Sequence, residues 1–393
     1  MSASDGTIAA GTPAQPLNAA LLYIGVVSLL IAGLQPVILG GLAEEGRLTV
    51  GQIGLAATGE LLALGVACGL AAAFLKPTSL RTKLALACLA HAACNVGSLW
   101  VSGFELIAVR SLTGLFAGVM LWATIGMIAR SARPERQAGI FVTVQTLAQL
   151  LLAAVLPRTV MITGGVDAAL ICLAVISVTA ALSVLGAPKL LAPLPKAEGE
   201  EGGKLTPFAW TGLAAVFFYM AFIVAIWVYL EPLAARVGLT PSQAHGAVAA
   251  ALAMQVLGGA AATVLGSRLK PAQVLIGAGV INIGLLAVLA SSPTAPVFMA
   301  AVAAFGFLWL FVLPFHTVLL IRIDPSRRAA MQLGAAQLLG SSAGPLAASL
   351  LVGDTDAAGA MRLAAGCLAV AMALIVAITL RLRGRPVPAD LPA

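Results

Sequence analysis

The sequence contains few charged residues, and this shortage is its most informative property. Only 9% of the 393 residues are charged, whereas 61% are hydrophobic and the mean hydropathy is +1.04. A soluble protein usually carries about 25% charged residues. A water-soluble fold cannot hide so much apolar surface, because much of any folded chain stays exposed. The composition therefore predicts an all-α integral membrane protein.

Cysteine and histidine are also scarce, and their positions exclude two kinds of site. The five cysteines all lie in apolar runs, and no C-x-x-C motif occurs, so neither a disulfide framework nor a metal site is predicted. The three histidines are dispersed and form no metal-binding pattern. Residues 1–16 contain no lysine or arginine, so the first apolar run is interpreted as a retained helix rather than a signal peptide. We expect no bound cofactor.

Twelve apolar runs are long enough to cross a bilayer, which takes roughly 20 residues of helix. Their predicted limits are 18–41, 50–74, 83–101, 104–129, 137–160, 168–187, 207–231, 241–265, 272–290, 295–321, 329–352 and 359–380. Runs of this length, separated by glycine, proline and clusters of charge, predict twelve transmembrane spans. The spans are numbered in this order below.

The basic residues predict how the spans are oriented. With both termini in the cytoplasm, 17 of the 22 basic residues fall at the cytoplasmic face, as the positive-inside rule requires. They are Lys76, Arg81, Lys83, Arg130, Arg133, Arg136, Lys189, Lys196, Lys204, Arg268, Lys270, Arg322, Arg327, Arg328, Arg381, Arg383 and Arg385. The net charge of +7 thus reflects membrane topology, and a nucleic-acid partner is not expected. We predict a multi-pass protein of the inner (plasma) membrane, in contact with lipid.

The chain also divides into two halves. The segment "APKLLAPLPKAEGEEGGKL" (187–205) is polar and rich in proline and glycine, and it separates span six from span seven. The stretches "RSARPERQAGIFVTVQ" and "RIDPSRRAAMQLGAAQ" lie 192 residues apart, each after the fourth span of its half. Parallel repeats of this kind occur in many secondary transporters. The predicted domains are an N-terminal tail (1–17), a bundle (18–187), a linker (188–206), a second bundle (207–380) and a C-terminal tail (381–393).

The chain is predicted to have twelve spans in two halves, a central cytoplasmic linker and basic loops after spans two, four, eight and ten. This arrangement resembles the major facilitator superfamily. Span four, "IAVRSLTGLFAGVMLW", is similar to the family's arginine-containing fourth helix. The loop "AAFLKPTSLRTKLA" keeps the basic residues of the family's loop motif but lacks its aspartate. The resemblance implies a pseudo-twofold arrangement of two six-helix bundles, with spans one, four, seven and ten lining a central cavity.

Glu60 lies in the apolar run "AATGELLALG", about ten residues into span two. An ionised side chain at the centre of a membrane helix costs roughly 2.5–3.5 kcal/mol, so it usually faces a bundle interior or a watery cavity. Loss of water favours the neutral form of a carboxylate. Glu60 is therefore a candidate proton-coupling residue, and the alternative is a permanently neutral side chain that is hydrogen-bonded to a neighbouring helix.

Arg110 is the only basic residue well inside a span. A guanidinium stays charged, so it needs a partner, either Glu60 or an anionic substrate. Gly114 and Gly118 follow it at helical spacing, which predicts close helix packing beside the arginine. The position in span four makes Arg110 a candidate substrate-binding residue, and a purely structural ion pair is the alternative.

Aromatic residues form two stripes on spans seven and ten. Tyr219 and Trp227 share a face of span seven, and Trp309 and His316 share a face of span ten. Such a stripe more often serves packing than substrate binding, but the cavity-lining role of these spans in the family makes binding an equal alternative. His316 is also a candidate proton site, since histidine ionises near neutral pH. Gln35, beside the helix-breaking Pro36 in span one, is a further candidate substrate ligand.

The basic loops at the cytoplasmic face supply a predicted gate. In the resembling family such loops make ion pairs between helices that hold the outward-open state. The candidates here are Arg81, Arg130, Arg133 and Asp324.

These features predict a monomeric, proton-coupled symporter for a small organic solute, either an organic anion or an amphipathic, aromatic compound. Proton-driven efflux of hydrophobic compounds is the alternative, although span five lacks the Gly-Pro-rich motif of the family's drug antiporters. An enzyme would need a cluster of catalytic groups near one membrane face, and the sequence shows none.

Overall fold

The described part of the chain folds as twelve helical spans. The computed structural model describes residues 17–131, 134–191, 205–325, 328–353 and 356–382, and these segments contain helices and no strand. The spans are, in order, Ala19–Ser28 with Leu30–Glu44; Val50–Phe74; Leu80–Gly97; Gly103–Ala129; Pro134–Val155; Val160–Ser183; Pro207–Val228 with Leu230–Arg236; Pro241–Leu265; Pro271–Ala290; Ala295–Ile323; Arg328–Met331 with Leu333–Ser349; and Ala358–Leu382. The predicted fold class is confirmed.

Ten of the described helices are long and apolar enough to cross a membrane on their own. Spans three and eleven complete the twelve; span three begins at a basic loop, and span eleven is broken at Gln332. Local signals define the starts of several spans. Thr49 and Thr240 form capping boxes with glutamines three residues later, at equivalent places in the two halves, and so satisfy the free N–H groups of spans two and eight.

Span six begins earlier than the sequence predicts, at Val160 rather than near residue 168. The expected loop is a helix with a break at Gly165, where φ is +55°. A side chain at this position would be strained, and it would also collide with the carboxylate of Glu45. That carboxylate accepts a hydrogen bond from the Val166 N–H at 2.8 Å, so the break exposes a donor that Glu45 then satisfies.

Glycines bring helices into backbone contact within each half. A Cβ atom at Gly114 would collide with the backbone of Glu60, which places spans two and four side by side. Gly306, 192 residues further on, lies in the same way against the carbonyl of Ala251, where span ten meets span eight. The close packing predicted for span four is present, and the internal repeat extends to the helix contacts themselves.

One end of the bundle holds both ends of the linker, and we call it the linker face. Here Arg81 donates from Nε to the carbonyl of Ala187 at 2.7 Å, and the Leu191 N–H donates to the carbonyl of Pro77 at 3.0 Å. The opposite end is the far face. Most of the predicted linker and tails, at 1–16, 192–204 and 383–393, lie outside the described residues.

Polar contacts join the two halves between the middle of the membrane and the far face. Thr58 in span two donates to the carbonyl of Ser342 in span eleven at 2.9 Å. The Tyr229 hydroxyl lies against Gly54, and the Glu231 carboxylate lies against Gly40. These contacts close the far face in this structure.

Candidate functional site

Glu60 and Arg110 form an ion pair in the interior of the first half. Nε of Arg110 donates to Oε2 of Glu60 at 3.2 Å, and Nη2 contacts Oε1. Nη1 donates to Oδ1 of Asn95 in span three at 2.9 Å. All three side chains are buried, and Glu60 is 0% exposed. The pair therefore lies in a low-dielectric setting with each charged nitrogen of Arg110 satisfied, which such burial requires.

The network continues from Asn95 towards span six. Nδ2 of Asn95 donates to the carbonyl of His91 at 3.0 Å, and Nδ1 of His91 lies 2.8 Å from the Ser177 hydroxyl. Beside this network is a cavity of about 10 Å³, bounded on another side by Leu30 of span one. Such a volume has room for about one water molecule. One water molecule, which can carry a proton, can therefore lie next to Arg110 although bulk water is excluded.

The internal repeat shows what the second half places at the positions of the ion pair. Gly306 lies against Ala251 as Gly114 lies against Glu60, so Ala251 and Val302 occupy the positions of Glu60 and Arg110, and both are buried. Spans eight and ten thus cross in the same way as spans two and four, with apolar residues at the matching places. The helix crossing does not require a charged pair.

The two predicted aromatic stripes face each other across spans seven and ten. The rings of Tyr219 and His316 have centroids 4.9 Å apart, and those of Trp227 and Trp309 are 5.6 Å apart. The ring centroid of Phe305 lies 6.3 Å from that of Trp309. Trp309 is partly exposed, whereas the other four are buried. We call these five residues the aromatic cluster, and Trp309 is its one partly exposed ring.

Pro36 creates a hydrogen-bond acceptor between the halves. Proline has no N–H, so the carbonyl four residues earlier, at Ala32, loses its helical donor. Nε1 of Trp227 donates to this carbonyl at 2.9 Å. Gln35, next to the proline, is 0% exposed, and its amide atoms make no hydrogen bond within the described residues. A buried amide without partners is costly, and it marks a place where a ligand or water can bind.

The structure brings some predicted site residues together and keeps others apart. Arg110 pairs with Glu60, one of the two partners predicted for this arginine. Tyr219, Trp227, Trp309 and His316 share the aromatic cluster in the second half. Arg110 instead faces the interior of the first half, beside spans one, three and six. Gln35 lies one turn from the carbonyl that Trp227 binds.

Three of the four predicted gate residues, Arg81, Arg130 and Asp324, lie at the linker face. Arg81 binds the end of span six, and Arg130 donates to the carbonyl of Gly126 in its own helix at 2.8 Å. Oδ2 of Asp324 accepts from the Ala329 N–H at 2.9 Å. Arg133 lies outside the described residues. Gating by these residues stays a prediction.

The sequence analysis did not single out two amide side chains that bind candidate site residues. Asn95 holds Arg110, and Asn282 in span nine donates to the Tyr219 hydroxyl at 3.1 Å. Each is a polar residue in an otherwise apolar run, the same signal that singled out Glu60. The signal was available but weak, because an uncharged amide is much less costly in a membrane helix than a carboxylate.

The fold and site define a multi-pass membrane transporter made of two related six-helix bundles. The family model of the Major Facilitator Superfamily matches residues 20–348. The chain belongs to that superfamily. It is therefore a secondary transporter that moves solutes by alternating access, and members of this family are generally not enzymes.

Solved structures of transporters share the fold. A mutant of the nucleoside transporter NupG aligns with a TM-score of 0.69 at 12% identity, over 92% of this chain and 98% of that chain. A bacterial homologue of the human lysosomal transporter Spinster, inward-facing and occupied, aligns with a TM-score of 0.63 at 16% identity, over 94% and 97%. FucP in the outward conformation aligns with a TM-score of 0.58 at 14% identity, over 92% and 98%. Among curated proteins, no sequence relative matches the chain.

Proposed function

We propose that this protein is a proton-coupled symporter of the inner membrane, with cytoplasmic termini, that acts as a monomer on a small organic anion with an apolar or aromatic body. The observation that carries the proposal is the ion pair of Glu60 and Arg110, found in one half only. The second half makes the same helix crossing with Ala251 and Val302. A costly charged pair that the fold does not need is best explained by function.

The pair supplies a way to couple a proton to an anion. When Glu60 takes up a proton, it no longer neutralises Arg110, and the guanidinium becomes available to a carboxylate of the solute. When the proton leaves, Glu60 binds Arg110 again and displaces the solute. Proton and anion then bind together and leave together, which gives electroneutral symport with one proton for each monovalent anion.

The aromatic cluster suits the body of the solute. Trp309 presents a partly exposed ring, and Trp227 ties the cluster to span one at Ala32. Aromatic rings favour flat, apolar groups, with about 0.5–1.5 kcal/mol for each ring contact beyond the area buried. Gln35 offers an unused amide donor and acceptor nearby. A solute between the halves would bind Gln35 and the cluster, and its carboxylate would have to enter the first half to reach Arg110, which faces spans one, three and six.

The first test is uptake into proteoliposomes under an inward proton gradient. The solutes are radiolabelled aromatic and aliphatic carboxylates, each with its neutral amide counterpart. Wild type is compared with Glu60→Gln and with Glu105→Gln, which removes an exposed carboxylate of the same half. We expect wild type and Glu105→Gln to accumulate an aromatic carboxylate, whereas Glu60→Gln exchanges it without accumulation.

Two results would overturn this function. If Glu60→Gln accumulates the carboxylate as wild type does, the proton is coupled elsewhere. If the inward gradient instead drives extrusion of apolar compounds, the protein is an efflux antiporter, the alternative that a mainly apolar cluster also accommodates.

A further inference from the structure

A second buried carboxylate lies at the far face, at the seam between the halves. Glu231 is in the short helix Leu230–Arg236 that continues span seven, and it is 3% exposed. One of its oxygens lies against Gly40 in span one, where any Cβ atom would collide with it. The carboxylate is therefore buried by the first half, and it loses this cover whenever the far face opens.

His245 in span eight is the partner of this carboxylate. Its Nε2 lies 2.9 Å from Oε1 of Glu231, and its side chain is 12% exposed. Within the described part of the chain, no other donor makes a hydrogen bond to either oxygen of Glu231. A buried carboxylate with no partner but a histidine needs a proton nearby, because an uncompensated buried charge costs several kcal/mol.

Water can reach this pair from the far compartment. A cavity of about 260 Å³ opens beside His245 and is bounded by Glu44, Glu45 and Arg158. Glu44 and Glu45 lie at the end of span one, Arg158 follows span five, and all three are exposed; the Glu45 carboxylate binds the Val166 N–H. Solvent and salt therefore screen their influence, and the partner that decides the charge of Glu231 is His245. Protons can exchange through this cavity without passing the membrane interior.

The number of protons on the pair depends on whether the seam is closed. In water the reference pKa values are about 4.3 for glutamic acid and 6.5 for histidine, so above about pH 6.5 the hydrated pair holds no proton and carries one negative charge. In the closed seam the pair must be neutral overall, which takes one proton, whether it resides on the histidine or on the carboxylate.

We propose that Glu231 and His245 form a second proton-binding site, separate from Glu60, that takes up one proton from the far compartment each time the far face closes. The site follows from alternating access alone and does not depend on the identity of the solute. One proton bound on closing makes the closing equilibrium constant rise about tenfold for each pH unit of acidification above pH 6.5. Below that pH the dependence flattens, because the hydrated histidine already carries the proton.

Distances across the far face test this site directly. Ser102 and Thr294 start spans four and ten in the two halves; both are exposed, and neither side chain caps its helix. Spin labels at Ser102→Cys and Thr294→Cys, in the full-length chain with the native cysteines replaced by alanine, report the closed and open populations. In nanodiscs between about pH 6.5 and 8.5, we expect the ratio of closed to open to fall about tenfold per unit.

Three variants separate this site from Glu60. Glu231→Gln removes the proton-binding carboxylate, so we expect the pH dependence to disappear. His245→Gln leaves a lone carboxylate that still needs a proton, so closing should keep its tenfold slope but require a pH lower by about 1–3 units. Glu60→Gln should leave the dependence as in wild type.

The proposal fails if Glu231→Gln keeps the wild-type slope, or if wild type shows no slope in this range. It also fails if Glu60→Gln abolishes the slope. If Glu231→Gln does not fold, the shift of closing to lower pH that we expect in His245→Gln still tests the proposal. An unchanged midpoint pH for closing in that variant would contradict the site. Failure of proton-driven uptake would leave all these expectations unchanged, so the two proposals are tested separately.

Discussion

Removal of one partner of the Glu60–Arg110 pair should damage the protein more than removal of both. Loss of one partner of a buried ion pair costs about 3–5 kcal/mol, whereas replacement of both by apolar side chains of similar volume is often neutral or stabilising. Glu60→Leu with Arg110→Met replaces the pair by apolar side chains of similar volume, and the second half also has apolar residues, Ala251 and Val302, at the matching positions. Asn95 then loses its donor, which costs about 1–3 kcal/mol. We expect the double variant to lie closer to wild type than either single variant.

The two single variants should differ in their dependence on pH. In Arg110→Met the buried Glu60 can become neutral by binding a proton, which costs about 4 kcal/mol at pH 7.5 and under 2 kcal/mol at pH 5.5 from the reference value of glutamic acid. The folded state of this variant holds a proton that the unfolded chain lacks, so its stability falls as the pH rises. In Glu60→Leu the guanidinium stays charged at both pH values, and no such recovery is expected.

Thermal unfolding in detergent, followed by tryptophan fluorescence at about pH 5.5 and 7.5, measures these effects. A loss of 3–5 kcal/mol corresponds to a fall in midpoint on the order of 5–10 °C at pH 7.5 for each single variant. The double variant should recover most of this fall and still lack proton-driven accumulation. If it is no more stable than the weaker single variant, the pair is not separable from the fold, and the comparison between the two halves does not support a functional role.

Three further predictions follow from single contacts. Trp227→Phe removes the N–H that joins the halves and should lower stability by about 1–2 kcal/mol in thermal unfolding, with Trp210→Phe, an exposed residue of the same span, as a neutral control. Gly114→Ala should cost about 1–3 kcal/mol and reduce the yield of folded protein, because its Cβ meets a backbone, whereas Gly69→Ala meets nothing within 4 Å and should be neutral. Gln35→Met should leave stability equal or raise it, since it removes unsatisfied polar atoms, but lower the affinity for solute; unchanged uptake kinetics would remove Gln35 from the site.

The sequence predicted the fold almost completely because membrane helices leave local signals. An apolar run and its flanking charges are properties of one segment, and they gave twelve spans before any contact was known. Span six shows the limit. The stretch with Asp167 and the adjacent glycines is predicted as a loop, yet the structure has helix on both sides of a break at Gly165. Glu45 and Arg47 from another segment bind the Val166 N–H and the Asp167 carboxylate there.

The candidate site was predicted only in part, for the same reason. Glu60 and Arg110 stood out as single charges in apolar runs, although the choice of partner needed the packing of spans two and four. The pairing of Glu231 with His245 left no signal, because each lies near the end of a span, where a polar residue is common. Their importance arises from burial by Gly40, which lies almost 200 residues away along the chain.

The hydrogen bond between Trp227 and Ala32 joins the two halves, and it depends on a hydrogen bond that is missing within span one. The acceptor is a main-chain carbonyl, so any residue at position 32 can provide it, and what keeps it free is Pro36. Pro36→Ala would return an N–H to the helix and offer that carbonyl a competing donor. A substitution that completes the backbone hydrogen bonding of span one would thus weaken its contact with span seven. The hydrogen bond that span one lacks thus provides one of the contacts between the two halves.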